Sequence, residues 1–163
     1  GVRFIQAEHT GNTRESIEEA EVIRAAIEDL QRGAVTEADG RSRPLGPEDI
    51  MVVTPYNAQV GCLTARLPTG VRIGTVDKFQ GQEAHVVFFS MATSSGAEVP
   101  RNVEFLYSRN RLNVAISRAR CLAVLVCNPE LLHVEPRSIE QMRLINALCR
   151  LVELAESTAE NAA

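Results

Sequence analysis

The chain has no tryptophan, and Lys78 is its only lysine although lysine and arginine together number 17. Positive charge is therefore almost wholly arginine, a bias that genome base composition alone can produce. The net charge is -4 at pH 7. No bulk positive field draws the chain onto nucleic acid, so any such contact has to be local. The four cysteines, Cys62, Cys121, Cys127 and Cys149, form no C-x-x-C pair, and His9, His85 and His133 do not cluster with them. Neither a metal site nor a disulfide framework is expected. Cys121 and Cys127 stand at even spacing in an apolar run, which predicts two small hydrophobes on one face of a strand. Free thiols suit a reducing, cytoplasmic setting. No secretory signal is present and no apolar run is long enough to span a membrane, so no membrane partner is expected.

Several catalytic signatures are missing as well. There is no G-x-x-x-x-G-K-[ST] loop to cradle phosphates, no G-x-G-x-x-G fingerprint and no G-x-S-x-G elbow. On its own the chain does not look able to turn over a substrate. It opens on Gly1 in a strand-like run, which reads as a segment cut from a larger protein.

What is present is one domain's worth of core, with 45% hydrophobic residues in 163. Short, continuous apolar runs at 2–6, 50–54, 71–75, 84–91 and 122–127 read as buried strands. Between them lie helical patterns: 16–31, with Ser16 and Glu19 in capping-box spacing and Gly33 as its stop; 57–67; 111–118; and a short helix over 129–132. A long amphipathic helix over 139–155 presents Met142, Ile145, Leu148, Leu151, Val152 and Ala155 on one face, and 156–163 are expected to fray. The stretches 36–48 and 93–99 read as exposed, flexible loops, and 103–107 has no clear pattern. Strands alternating with helices predict an α/β fold, a mostly parallel sheet covered on both faces. Ligands then belong at strand ends.

Two stretches concentrate chemistry. The first is Thr75-Val76-Asp77-Lys78-Phe79-Gln80-Gly81-Gln82-Glu83, a polar loop between two buried strands. The second is Arg111-Leu112-Asn113-Val114-Ala115-Ile116-Ser117-Arg118-Ala119-Arg120, a helix leading into a strand. An arginine fixed at such a helix end carries a permanent charge and a fork of donors matched to phosphate oxygens. Arg118 and Arg120 could equally cap carbonyls or pair with surface acids.

Together with Val52-Val53-Thr54-Pro55-Tyr56-Asn57-Ala58-Gln59, these stretches resemble motifs IV, V and VI of superfamily 1 (1B-type) helicases, in the right order. The likeness covers roughly 2–130. Within the superfamily the chain is similar to the branch holding the RNA-surveillance helicase and the replication helicase-nuclease, and to bacterial proteins that fuse a RecB-like nuclease to such a helicase. That resemblance implies the second, C-terminal RecA-like (P-loop NTPase-type) motor domain over 1–155, lacking its own Walker A loop. ATP and Mg²⁺ would be held mainly by an N-terminal RecA-like domain of the same parent chain. The partner would be single-stranded nucleic acid, DNA in preference to RNA. The fragment alone would be inactive.

Residue by residue, the resemblance makes Arg118 the arginine finger on the γ-phosphate. Glu83 becomes an acid facing the nucleotide's ribose, Gly81 a point of close backbone approach, and Gln80 a link between strand and nucleotide. Thr54, Tyr56, Asn57, Thr75, Val76 and Asp77 would line the single strand. Tyr56 is either a ring that stacks on a base or a half-buried core ring, and Phe79 is either a strand contact or a hydrophobic plug. Lys78 is a candidate phosphate contact. Some relatives carry a second phosphate-binding arginine two residues before a Glu-Ala pair. Here the pair is Glu19-Ala20 and that position holds Ile17, so Arg14 is the nearest substitute. Arg101, Arg109 and Arg111 form either a phosphate patch or a solvated charged segment. The rival to a motor domain is a non-catalytic RecA-like module that docks or regulates a nuclease.

Overall fold

The computed structural model describes residues 1–98 and 103–160. In chain order these form β1 (Val2–Gln6), α1 (Ile17–Leu30), β2 (Ala34–Thr36), β3 (Ser42–Pro44), β4 (Ile50–Thr54), α2 (Asn57–Arg66), β5 (Arg72–Thr75), β6 (Ala84–Ser90), α3 (Val103–Leu106), α4 (Arg109–Ser117), β7 (Ala119–Cys127) and α5 (Ile139–Glu160). Five strands make one sheet in the order β1-β7-β6-β4-β5. Every pairing in it is parallel, with Phe4 beside Leu125, Val87 beside Ala123 and Val53 beside Gly74. All five carboxyl ends therefore share one rim and all five amino ends the other.

Both faces of the sheet are covered, as continuous apolar strands require. On one face Ile23 and Ile27 of α1 and Cys62 and Leu63 of α2 pack against Ile50, Val52, Val86, Phe88, Val124 and Val126. On the other, Leu112 of α4 and Ile145, Leu148 and Val152 of α5 pack against Met51, Val53, Val87, Phe89 and Leu125. Val76 and Phe79, from the 3-10 turn Val76–Phe79 that links β5 to β6, join this second cluster. The fold is α/β and RecA-like, with the parallel sheet and two helical layers expected.

Several local expectations fail for physical reasons. The stretch 36–48 is not a free loop: it closes the β2–β3 hairpin, pairing Val35 with Arg43. Arg43 sends a two-pronged hydrogen bond to the buried Asp49 (2.6 and 2.7 Å) and another bond to Glu37 (3.0 Å). That guanidinium holds the Asp49 carboxyl at about 2, below the usual carboxylate range. Nor is the start of 93–99 loose. Met91, Ala92, Thr93 and Ser94 are buried, and Thr93 and Ser94 bond back to 12–13. Val99 lies outside the described residues.

In α5, Met142 faces solvent and Leu144 is buried in its place. The helix continues through Glu160, so 156–160 extend it rather than fray; 161–163 lie outside the described residues. Cys121 and Cys127 do not share a face either, for Cys127 is fully buried and Cys121 exposed. Between Ala84–Ala119 and Val86–Leu122 the register advances two residues on β6 and three on β7. That irregularity falls beside Cys121, at the exposed start of β7, where regular alternation does not carry through.

Candidate functional site

The parallel sheet separates the expected site residues into two groups. At the carboxyl rim, a cleft of about 330 Å³ is lined by Arg14, Pro55, Tyr56, Asn57, Ala58, Thr75, Asp77, Phe105 and Arg111. Pro55 ends β4 and starts the approach to α2, whose first turn brings Asn57 and Ala58 to the wall. Thr75 ends β5, and Asp77 follows in the 3-10 turn. Arg14 comes from the loop after β1. Arg111 comes from the first turn of α4, its guanidinium 4.0 Å from the centroid of the Phe105 ring. Two arginines, a hydroxyl, an amide and the start of a helix without a side-chain cap favour an anion there, with Asp77 as the opposing charge.

The same geometry reassigns several side chains. Tyr56 lines the cleft, but it is 6% exposed and its ring packs on Phe105 at 5.9 Å between centroids. Its core reading therefore holds, and stacking on a base would require the ring to move. Thr54 is fully buried with its hydroxyl accepting from the Tyr56 amide at 3.5 Å, and it does not line the cleft. Val76 is buried too, so only its backbone can meet a strand. Phe79 is the plug, 3% exposed. Lys78 folds back to donate to the Ile73 carbonyl at 2.8 Å. Arg109 donates to the Arg143 carbonyl at 3.4 Å, and Arg101 lies outside the described residues.

The second group sits at the amino ends of β6 and β7. Arg118 caps α4, and its carbonyl accepts from Ala84 at 3.0 Å, which fixes the helix end to the start of β6. Among the described residues, Arg118 Nε is buried without a hydrogen-bond partner. A buried guanidinium nitrogen left unsatisfied is uncommon and calls for an acceptor. Glu83 precedes β6 and pairs with Arg120, whose Nε donates to its Oε2 at 2.9 Å. Both ends of that pair are about half exposed. Gly81 has a φ of +79°, a left-handed conformation that favours glycine, and nothing crowds the place where a Cβ would stand. Gln80 and Gly81 are exposed.

Neither Arg118 nor Glu83 lines the carboxyl-rim cleft, so Arg14 is grouped with the expected strand residues rather than with the finger. Sequence reasoning missed two contributors. Arg72 donates to the Glu83 carbonyl at 2.9 Å, and its own Nε is buried without a partner. Phe105 lies in a stretch with no periodicity. Only its place just ahead of the arginine-rich helix could have signalled it. No group of three His, Cys, Asp or Glu side chains converges as a metal centre among the described residues.

Comparison with known proteins decides the family. A family model described as an AAA domain matches residues 4–130. The chain belongs to that family. Its relatives are superfamily 1 helicases. It is 44% identical over 79 residues to DNA polymerase alpha-associated DNA helicase A of Schizosaccharomyces pombe, covering 47% of this chain and 12% of that protein. It is 34% identical over 126 residues to the Saccharomyces cerevisiae protein of the same name, covering 73% and 18%. It is 34% identical over 96 residues to the Regulator of nonsense transcripts 1 homolog of Drosophila melanogaster, covering 53% and 8%. The chain thus spans less than a fifth of each of these relatives.

Proposed function

We propose that this domain is the second, C-terminal motor domain of an ATP-dependent superfamily 1 helicase, and that Arg118 is its arginine finger. The observation that carries the reading is the Arg118 guanidinium. It is anchored at a helix end bonded to β6, and its Nε is buried with no acceptor among the described residues. A γ-phosphate oxygen is an acceptor that would satisfy it once the side chain swings out of its buried position. The guanidinium would then stabilise the negative charge that grows on the transferred phosphoryl group. Glu83, held by Arg120 through one carboxylate oxygen, keeps the other for a ribose hydroxyl. Gly81 and Gln80 lie on the open approach to it. These residues suit the sugar and terminal phosphate of ATP. They do not suit the whole nucleotide, because no phosphate-cradling loop is present. The remaining phosphates and Mg²⁺ are assigned to an N-terminal RecA-like domain of the same protein.

The carboxyl-rim cleft takes the single strand. Arg14 and Arg111 meet phosphates, and Asn57, Thr75 and Asp77 edge the path without reading bases. DNA is the proposed strand, and a fused RecB-like nuclease domain and a cytoplasmic setting fit the motif likeness. The test is strand-stimulated ATP hydrolysis by the full-length protein and by Arg118→Ala, each with DNA and with RNA. Loss of turnover with strand affinity retained supports the finger. Wild-type turnover removes Arg118 from that role. The isolated 163-residue chain is expected to hydrolyse no ATP, and hydrolysis by pure chain would place the catalytic parts elsewhere.

A further inference from the structure

The pattern Ser16-Ile17-Glu18-Glu19 predicts a capping box, in which Glu19 reaches back to the Ser16 amide. Only half of that box forms. Ser16 Oγ accepts from the Glu19 amide at 3.0 Å, but the Ser16 amide donates to Gln59 Oε1 at 2.7 Å. Glu19 is thereby released from its local partner and lies fully buried. Its Oε2 accepts from Ser90 Oγ at 2.5 Å and from the Ala92 amide at 3.0 Å, and its Oε1 lies 3.2 Å from His9 Nε2. Burying a carboxylate is costly unless its acceptors are well filled. An ordinary helix start has no need of it.

What Glu19 holds is the segment after β6, which does not itself line the carboxyl-rim cleft but grips the loop leading to Arg14, which does. Ala92, with a φ of 65°, is the one non-glycine residue among those described in the left-handed region, and its amide is tied to Glu19. The next two residues grip the loop that carries Arg14. Thr93 Oγ1 donates to the Thr13 carbonyl at 2.7 Å, the Ser94 amide donates to the Asn12 carbonyl at 2.9 Å, and the Asn12 amide donates to Ser94 Oγ at 2.9 Å. His9 Nδ1 closes the circuit on Ser94 Oγ at 2.7 Å, and the Asn128 side chain donates to the His9 carbonyl. Thr93 Oγ1 also reaches the Tyr56 hydroxyl at 3.5 Å.

We propose that Glu19 is a positioning residue, a buried carboxylate that clamps the end of β6 to the β1–α1 loop and so aims Arg14 at a phosphate in the cleft. The proposal rests on the cleft's reading as a phosphate-binding surface. The phosphate comes either from the single strand or from ATP, and the two arms of the test separate them.

Glu19→Ala, Glu19→Gln and Ser90→Ala are made in the full-length protein, each with and without Arg14→Ala. Each variant is titrated with a fluorescent single-stranded oligonucleotide and assayed for the KM of ATP, with thermal melting to identify folded variants. Arg14→Ala weakens the arm it serves. Glu19→Ala and Ser90→Ala weaken the same arm by about tenfold, the scale of a misaimed contact. Glu19→Gln, which keeps an acceptor oxygen, loses less. No Glu19 or Ser90 change adds to the loss in the Arg14→Ala background, since two residues acting through one contact are not additive. If Glu19→Ala does not fold, Ser90→Ala decides. Additive losses overturn the positioning role. So do folded Glu19 and Ser90 variants with wild-type affinity beside an impaired Arg14→Ala. An Arg14→Ala protein with both affinities unchanged sinks the cleft reading itself, and the proposal with it.

Discussion

The two rims of the sheet are built differently. At the carboxyl rim the loop that carries Arg14 is tied to a buried polar network in which the His9 and Glu19 side chains are 0% exposed. At the amino rim the corresponding acid, Glu83, is 48% exposed and its partner Arg120 58%. Water screens the second pair and not the first. One rim is finished within this chain. The other holds a guanidinium nitrogen buried without a partner beside a half-exposed carboxylate. The difference teaches that one rim's polar groups are satisfied within this chain while the other's are not, as the proposed division between strand surface and shared nucleotide site requires.

That contrast can be broken or sharpened in order of expected effect. Arg118→Ala in the full-length protein should lower strand-stimulated kcat by about 10³-fold or more, the scale of a lost arginine finger. Equilibrium binding of an oligonucleotide should stay near wild type, and the two assays together report whether the rims act separately. Tyr107→Phe addresses neither rim. Its fully buried hydroxyl donates to the Leu131 carbonyl at 2.6 Å, so the change should cost about 1–3 kcal/mol in denaturant unfolding and leave KM untouched. Arg111→Ala should weaken strand binding about equally for all sequences and reduce the salt slope of log affinity by roughly one. A sequence-selective loss would contradict a phosphate role. Arg120→Ala should change stability by less than about 1 kcal/mol, while altering the preference for ATP over its deoxyribose form if Glu83 reads the sugar.

Acid titration separates the hairpin from both rims. The Asp49 carboxyl is held at about 2, chiefly by its hydrogen bonds to Arg43, against about 3.9 for a free aspartate. A group depressed on folding contributes stability that is full above its unfolded value and is lost as pH falls through its folded value. Wild-type protein should therefore lose stability between about pH 4 and 2. Asp49→Asn should be less stable at neutral pH and flatter across that window, as read from melting temperature against pH.

Much of the fold was legible because the central strands β4, β6 and β7 carry continuous apolar runs and the helices repeat at 3.6 residues. Motif order carried the site residues as a set, but not their grouping. Arg14 went to the cleft rather than to Arg118 because the loop after β1 is tied to Thr93 and Ser94, some 80 positions away in sequence. Thr93 and Ser94 read as loop because hydroxyl residues look exposed until their distant partners are known. The β2–β3 hairpin hid behind strands of three residues containing arginine and proline. Cys121 was misplaced by a register irregularity that no alternation rule foresees. Glu19 was misread because Gln59, 43 residues from Ser16, occupies the amide that the capping box should have used.

Lys78 has one more consequence. It carries the only lysine amine in the chain, and it sits on the turn that leaves the carboxyl rim at Thr75 and reaches the amino rim at Glu83. Within these 163 residues acylating reagents would therefore find a single side-chain amine. The reactivity of Lys78 would depend on whether its nitrogen stays bonded to the Ile73 carbonyl. A dye placed there would be a native reporter on the segment that joins the two rims, with no engineered cysteine required.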